Sequence, residues 1–160
     1  MREIVLFIFT LIFISGCTIK PEVKESQSAQ LLIKTPIIKI SDFALIKTHS
    51  SSKRVYVLNA GQKVLDILIS DKICLNGPCF EKLNFNNRFF LRTHYENIFE
   101  EILNLEPIYD SKNLIKTKNG FMQNIEFNNE LISYEKINSG IRYQDRAKNI
   151  LIIIDFKGDK

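Results

Sequence analysis

The stretch NRFFLRTHYENIFEEILNL, residues 87–105, decides how the rest of the chain is read. Leu91, Tyr95, Ile98, Ile102 and Leu105 recur at steps of four and three, the spacing that aligns one face of an α-helix. Arg92, Glu96, Glu100 and Glu101 fall on the other side, where they stay in water. Asn86 or Asn87 is a suitable N-cap, and Pro107 forbids continuation. The spacing predicts one main helix from about residue 87 to 105, its apolar stripe laid against a sheet.

On both sides of this stretch the pattern is that of strands. LLIKTPIIKI (31–40) is apolar but broken by Pro36, which suits an edge or entry strand. Phe43–Thr48, Arg54–Leu58 and Lys63–Ile69 follow as three strands, punctuated by Ser50-Ser51-Ser52 and Asn59-Ala60-Gly61. After the helix, Met122–Phe127 and Leu131–Tyr134 flank Asn128-Asn129, a dipeptide that tolerates the positive φ of a tight hairpin. Ile141-Arg142-Tyr143 and the run Ile150–Ile154 complete the set. That last run does not alternate, so it is expected inside the sheet with both faces covered. The expected fold class is α+β: a curved antiparallel sheet, or incomplete β-barrel, packed on one main helix.

Composition sets the outer limits. The chain has 160 residues, 45% hydrophobic and 25% charged, which suits one compact domain and excludes wholesale disorder. Lys and Arg number 22 against 18 Asp and Glu, a net charge of +4 spread along the chain. It forms no dense basic stripe, so nucleic acid is not an expected partner.

The first segment assigns a compartment. Met1-Arg2-Glu3 precedes an apolar run from Ile4 to Ile14, broken only by Thr10, and then Ser15-Gly16-Cys17. The run is too short to span a bilayer and has the layout of a secretory signal. Ile14-Ser15-Gly16-Cys17 resembles the bacterial lipobox, in which the cysteine is acylated and becomes the first mature residue. The resemblance implies a signal peptide over 1–16 and lipidation at Cys17. It also implies attachment to a membrane through the covalent acyl chains. An Asp after the cysteine retains such proteins in the inner membrane; Thr18 stands there, which points to the periplasmic face of the outer membrane. Residues 17–30 read as the acylated cysteine and a flexible tether, and 31–160 as the single folded domain.

Cys74 and Cys79 bracket Leu75-Asn76-Gly77-Pro78. In an exported domain, two cysteines around a tight turn most often form a disulfide. A redox-active or partner-linked pair is the sharper alternative, although the spacing is four residues rather than two. A metal site would need ligands that the surrounding sequence does not supply, so neither metal nor cofactor is expected. His49 and His94 are the only histidines, and no HExxH or GxSxG motif accompanies them, so no enzymatic activity is expected. Glu100 and Glu101, adjacent on a helix, do not face each other and read as a solvated face. Asp42 and Asp66 lie near apolar strand positions without a partner that the sequence names.

The order of elements resembles the LolB family, outer-membrane lipoproteins that receive other lipoproteins from the carrier LolA and insert them. Three segments carry the likeness. They are Leu75-Asn76-Gly77-Pro78, Ile102-Leu103-Asn104-Leu105-Glu106-Pro107-Ile108, and Met122–Tyr134 with Ile125-Glu126-Phe127 and Ile132-Ser133-Tyr134. The resemblance implies an open barrel that binds acyl chains, passed on by a periplasmic carrier. Its cavity would be lined by Leu45, Val57, Leu65, Ile67 and Ile152 of the sheet and by Leu91, Tyr95, Ile98 and Ile102 of the helix. The family's loop presents a leucine after the Pro to the membrane or to the carrier. Cys79 holds that place here, so Leu75 or Phe80 would take the role. The alternative is a structural or accessory lipoprotein of an envelope complex, with a closed core and a stiffened interaction loop.

Overall fold

A computed structural model describes residues 22–158. The expected signal peptide and the lipidation site Cys17 lie outside those residues. Eleven strands among the described residues form one antiparallel sheet. The first six are β1 (Val23–Lys34), β2 (Lys39–His49), β3 (Lys53–Asn59), β4 (Gln62–Ile69), β5 (Lys72–Leu75) and β6 (Cys79–Glu81). Two helices follow, α1 (Lys82–Phe90) and α2 (Ile98–Leu103), then a 3-10 turn at Tyr109–Ser111. The sheet resumes with β7 (Leu114–Thr117), β8 (Gly120–Phe127), β9 (Glu130–Ile137), β10 (Gly140–Asp145) and β11 (Ile150–Phe156).

The spatial order is β6-β5-β4-β3-β2-β1-β11-β10-β9-β8-β7. The chain starts in the middle of the sheet, walks outward hairpin by hairpin to β6, crosses through the helical segment to β7, and walks back. Only the β1–β11 seam joins strands distant in sequence, with Ala29 opposite Phe156 and Lys34 opposite Leu151. The two free edges, β6 and β7, are the strands on either side of residues 82–113.

Alternation fixes which face is covered. Ala29, Leu31 and Ile33 of β1, Ala44 and Ile46 of β2, Val55 and Val57 of β3, and Ile150, Ile152 and Ile154 of β11 are all buried. The residues between them point to the other face, as the period of two requires. Turns form where the sequence permits positive φ: Asn128 and Asn129 adopt 45° and 64°, as their hairpin reading predicts. At the β5–β6 turn, Asn76 and Gly77 adopt 50° and 115°.

The expected main helix is not there. The sheet is not packed on one long helix; it is covered by two short ones, of 9 and 6 residues. Leu91 closes α1 in the left-handed conformation, φ 51°, and residues 92–97 leave the helical path. The steps of four and three bridge this break by coincidence: Leu91 is 42% exposed, while Ile98 and Ile102 are fully buried. The physical cause is tertiary. Asn86, completely buried, donates through Nδ2 to the carbonyls of Tyr95 and Glu96 at 2.8 and 2.9 Å, which holds the non-helical segment open. Helix propensity over six residues is too weak to resist such bonds.

Two further expectations change. Residues 23–30, read as tether, form the first two-thirds of β1 and pair with β2. Pro36 does not mark an edge strand; it sits in the β1–β2 turn, where Thr35 Oγ1 accepts the amides of Ile37 and Ile38, and β1 is central.

Candidate functional site

The apolar face of the sheet and the segment that covers it, residues 82–113, form the candidate site. Four phenylalanines of the cover build its interior. Phe85 stacks on Phe89 with ring centroids 5.3 Å apart, and Phe99 lies 5.2 and 5.0 Å from those two rings. Phe90 sets its edge to Tyr143 of β10 at 5.3 Å. Such pairs add to the burial of large apolar area.

The cover is suspended from the sheet by polar side chains at inward-facing strand positions. Gln123 of β8 imitates a strand: its Oε1 accepts the Ile108 amide at 2.9 Å, and its Nε2 donates to the carbonyls of Ile108 and Lys112 at 2.8 Å each. The Tyr134 hydroxyl of β9 donates to the Glu106 carbonyl at 2.8 Å. Asp145, at the end of β10 and 0% exposed, accepts Nε of Arg92 at 3.0 Å and the Lys148 amide at 3.1 Å. Arg92 also donates to Glu130 at 2.6 Å and lies over the Phe127 ring. Beneath it His94, 3% exposed, is hydrogen-bonded through Nδ1 to the Tyr109 hydroxyl, with Nε2 3.5 Å from the Tyr143 hydroxyl. Burial and the adjacent Arg92 charge lower the His94 pKa to about 4, so the ring is neutral at pH 7. The Tyr95 hydroxyl donates to Glu101 and accepts the Tyr109 amide. Burial raises both the Tyr95 phenol and the Glu101 carboxyl above their usual ranges.

Of the expected lining, Val57, Leu65, Ile67, Ile98, Ile102 and Ile152 meet in one buried cluster. Leu45 is on the opposite face, Leu91 is exposed, and Tyr95 is half-buried with its hydroxyl engaged as above. A groove of about 350 Å³ opens beside the cover, where Leu105 and Glu106 meet Lys53, Gln27 and Phe156. Lys53 donates to Asn104 there.

Cys74 and Cys79 form a disulfide across the β5–β6 pair. The hairpin does not stand clear of the sheet: Asn76 exchanges two hydrogen bonds with Asp66, at 2.8 and 2.9 Å. Leu75 and Phe80 lean on the core cluster. On the outer face Asp66 accepts Nε and a terminal nitrogen of Arg54, both at 2.9 Å, and Lys63 at 2.8 Å. The Arg54 bond holds the carboxyl at about 2, against the cost of burial. Asp42 accepts the Asn59 amide, and Glu100 pairs with Lys82 at 2.9 Å.

Sequence reasoning missed Asn86, Arg92, Gln123, Tyr134 and Asp145 as the residues that hold the cover. For two of them a signal existed. Gln123 shares its strand parity with Phe121 and Ile125, and Asp145 shares its parity with Ile141 and Tyr143. A polar residue on the apolar face must find a buried partner. Among the described residues no group of three or more His, Cys, Asp or Glu is gathered as a metal site. No helix among them is long and apolar enough to cross a membrane. Set against known proteins, the chain matches no family model and no curated protein.

Proposed function

We propose that this is a membrane-anchored, non-enzymatic protein that binds acyl chains on the apolar face of its sheet, beneath residues 82–113. Lipidated at Cys17 on the periplasmic face of the outer membrane, it would take such chains from a carrier and pass them to the bilayer, as the LolB resemblance implies. One observation carries the reading. A largely apolar face, interrupted by Gln123 and Asp145, is covered by a segment that joins the sheet through the backbone only at its two edge strands. It is otherwise held by hydrogen bonds, the Arg92–Asp145 pair and aromatic packing, contacts that can be exchanged without breaking the sheet. The groove beside Leu105 opens at the end of the sheet where β1 begins, with Leu103, Leu105 and Phe156 as its apolar side and Glu25, Lys53 and Glu106 as its polar one.

The absence of Trp provides the test. In the exported mature chain with Cys17→Ala, a Phe85→Trp substitution installs a single emitter inside the phenylalanine cluster. A fatty acid brominated along its chain should quench that emission saturably, and an unbrominated one should relieve it. A Tyr56→Trp emitter on the outer face should stay bright. Equal, non-saturable quenching at both positions would leave the accessory lipoprotein with a closed core as the better reading.

A further inference from the structure

The groove beside the end of α2 gathers charges that the fold leaves unneutralised. Glu25 of β1, Thr48 of β2 and Lys53 of β3 stand in one register row. They share the parity of the buried Ile46 and Val55, so all three face the side that the cover occupies. Across the groove, Glu106 follows the close of α2, where Leu105 takes a left-handed φ of 57°. Lys53 is half-buried and donates to the side-chain carbonyl of Asn104. Burial lowers its pKa, although Glu106, Glu100 and Glu25 all act in the opposite direction. Glu100 is already paired with Lys82. Among the described residues, none of Lys53, Glu25 and Glu106 has an oppositely charged group within ion-pair distance.

Those charges select the ligand. A simple anion in the groove would meet two carboxylates, and a simple cation would meet Lys53. A head group that carries both charges can set each against its opposite. Its phosphate would lie at Lys53, whose ammonium keeps two donors beyond the one given to Asn104. Its cationic end would lie with Glu25 and Glu106. A primary ammonium donates hydrogen bonds to carboxylates, whereas a trimethylated one has no hydrogen to give. The groove holds about 350 Å³. Its apolar side joins the core cluster, Leu103 within it and Leu105 and Phe156 packed against it. Chains attached to such a head group would follow those side chains toward the covered face.

We propose that this groove binds the head group of a phosphoethanolamine lipid, its phosphate on Lys53 and its primary ammonium on Glu25 and Glu106. The inference rests on the acyl-chain reading above and deepens it, because it names a zwitterionic phospholipid as the source of the chains.

The test follows the amide resonances of Lys53, Asn104 and Glu106 in the full lipidated chain, held in uncharged detergent micelles and titrated with dihexanoyl phosphatidylethanolamine. Saturable shifts are expected, and the phosphatidylcholine and phosphatidylglycerol of the same chain length should each bind about 10-fold more weakly. Lys53→Gln should weaken the ethanolamine lipid by about 10-fold or more. Glu25→Gln with Glu106→Gln should bring the ethanolamine and choline lipids to equal affinity. None of the three side chains is fully buried, so strand circular dichroism should not change in these variants. Equal response to all three lipids, or none, would overturn the head-group site. Saturable quenching of a Phe85→Trp emitter by the brominated fatty acid in that same chain would then leave the acyl-chain reading standing alone. Phosphoethanolamine without chains, binding as tightly as the lipid, would overturn the lipid as ligand. Loss of both the shifts and the quenching would overturn the acyl-chain reading and the head-group site together.

Discussion

The sheet and its cover are specified in different ways. Where the sheet's turns need positive φ, it falls on residues that adopt it at little cost, Asn76, Asn128, Asn129, Asn138, Asn149, Gly61 and Gly77, with Ala60 the exception. In the cover, positive φ falls not only on Asp110 and Asn113 but also on Leu91, Leu105, Tyr109 and Ser111, residues that pay for it. Strand alternation sets the sheet locally, hairpin by hairpin. The path of the cover is imposed from outside, by Gln123, Tyr134 and Asp145 reaching up from the sheet and by a phenylalanine cluster that has no partner until the sheet is in place. Stability in one region is therefore spread over many equivalent contacts. In the other it is concentrated in a few.

Breaking those few should separate the two regions. Phe99→Ala removes the ring that touches Phe85, Phe89 and Phe90. It should cost about 4 kcal/mol in denaturant melts and loosen the cover while strand circular dichroism persists. Asp145→Ala leaves the Arg92 guanidinium, 10% exposed, short of its buried partner. A loss of about 3 kcal/mol is expected, and Arg92→Met in the same chain should restore much of it; no restoration would mean that packing, not charge, sets the cost.

Acid should act on the cover first. His94 is neutral when folded, with its pKa near 4 instead of 6.5, so the unfolded chain binds the extra proton. Stability is complete above pH 6.5 and falls as pH drops toward 4, by up to about 3 kcal/mol. His94→Gln should flatten that slope. The sheet has its own, lower window: Asp66, held at about 2, gives up its contribution only as pH falls below 3.8. A single acid transition common to both regions would contradict the separation.

Smaller effects sharpen the contrast. Replacing Cys74 and Cys79 together by Ser should cost about 2 kcal/mol, from the closure of so short a loop, and raise hydrogen exchange in β5 and β6 while leaving β8 to β11 unchanged. Leu91→Gly relieves a left-handed, exposed position and should stabilise by about 1 kcal/mol, a gain that no sheet turn at an existing Asn would return.

The same difference decides what the sequence discloses. β3, β4, β8 and β11 are readable within a residue or two. Val55-Val57 and Leu65-Ile67-Ile69 carry the period of two, and the unbroken apolar run Ile150–Ile154 marks a strand inside the sheet, although only Ile150, Ile152 and Ile154 are buried while Leu151 and Ile153 on its other face are half-buried. The Cys74–Cys79 pairing is readable because a tight turn leaves so little freedom. The single helix is a misreading, since Leu91 and Tyr95 supply the right spacing across a break that only Asn86's long-range bonds create. β1 is underestimated because Val23–Gln30 is polar, although main-chain pairing to β2 needs no apolar side chains. Half of the candidate site, the buried face, is thus visible in the pattern. The latches are visible only as polar residues on the wrong parity, without their partners.

The most direct measurement is native-state hydrogen exchange on the mature chain, with and without a fatty acid. The account predicts that amides of 82–113 exchange through an opening that leaves β1, β2 and β11 protected, and that the fatty acid alters exchange in the cover alone. Exchange of both regions only through global unfolding, unchanged by the fatty acid, would contradict it.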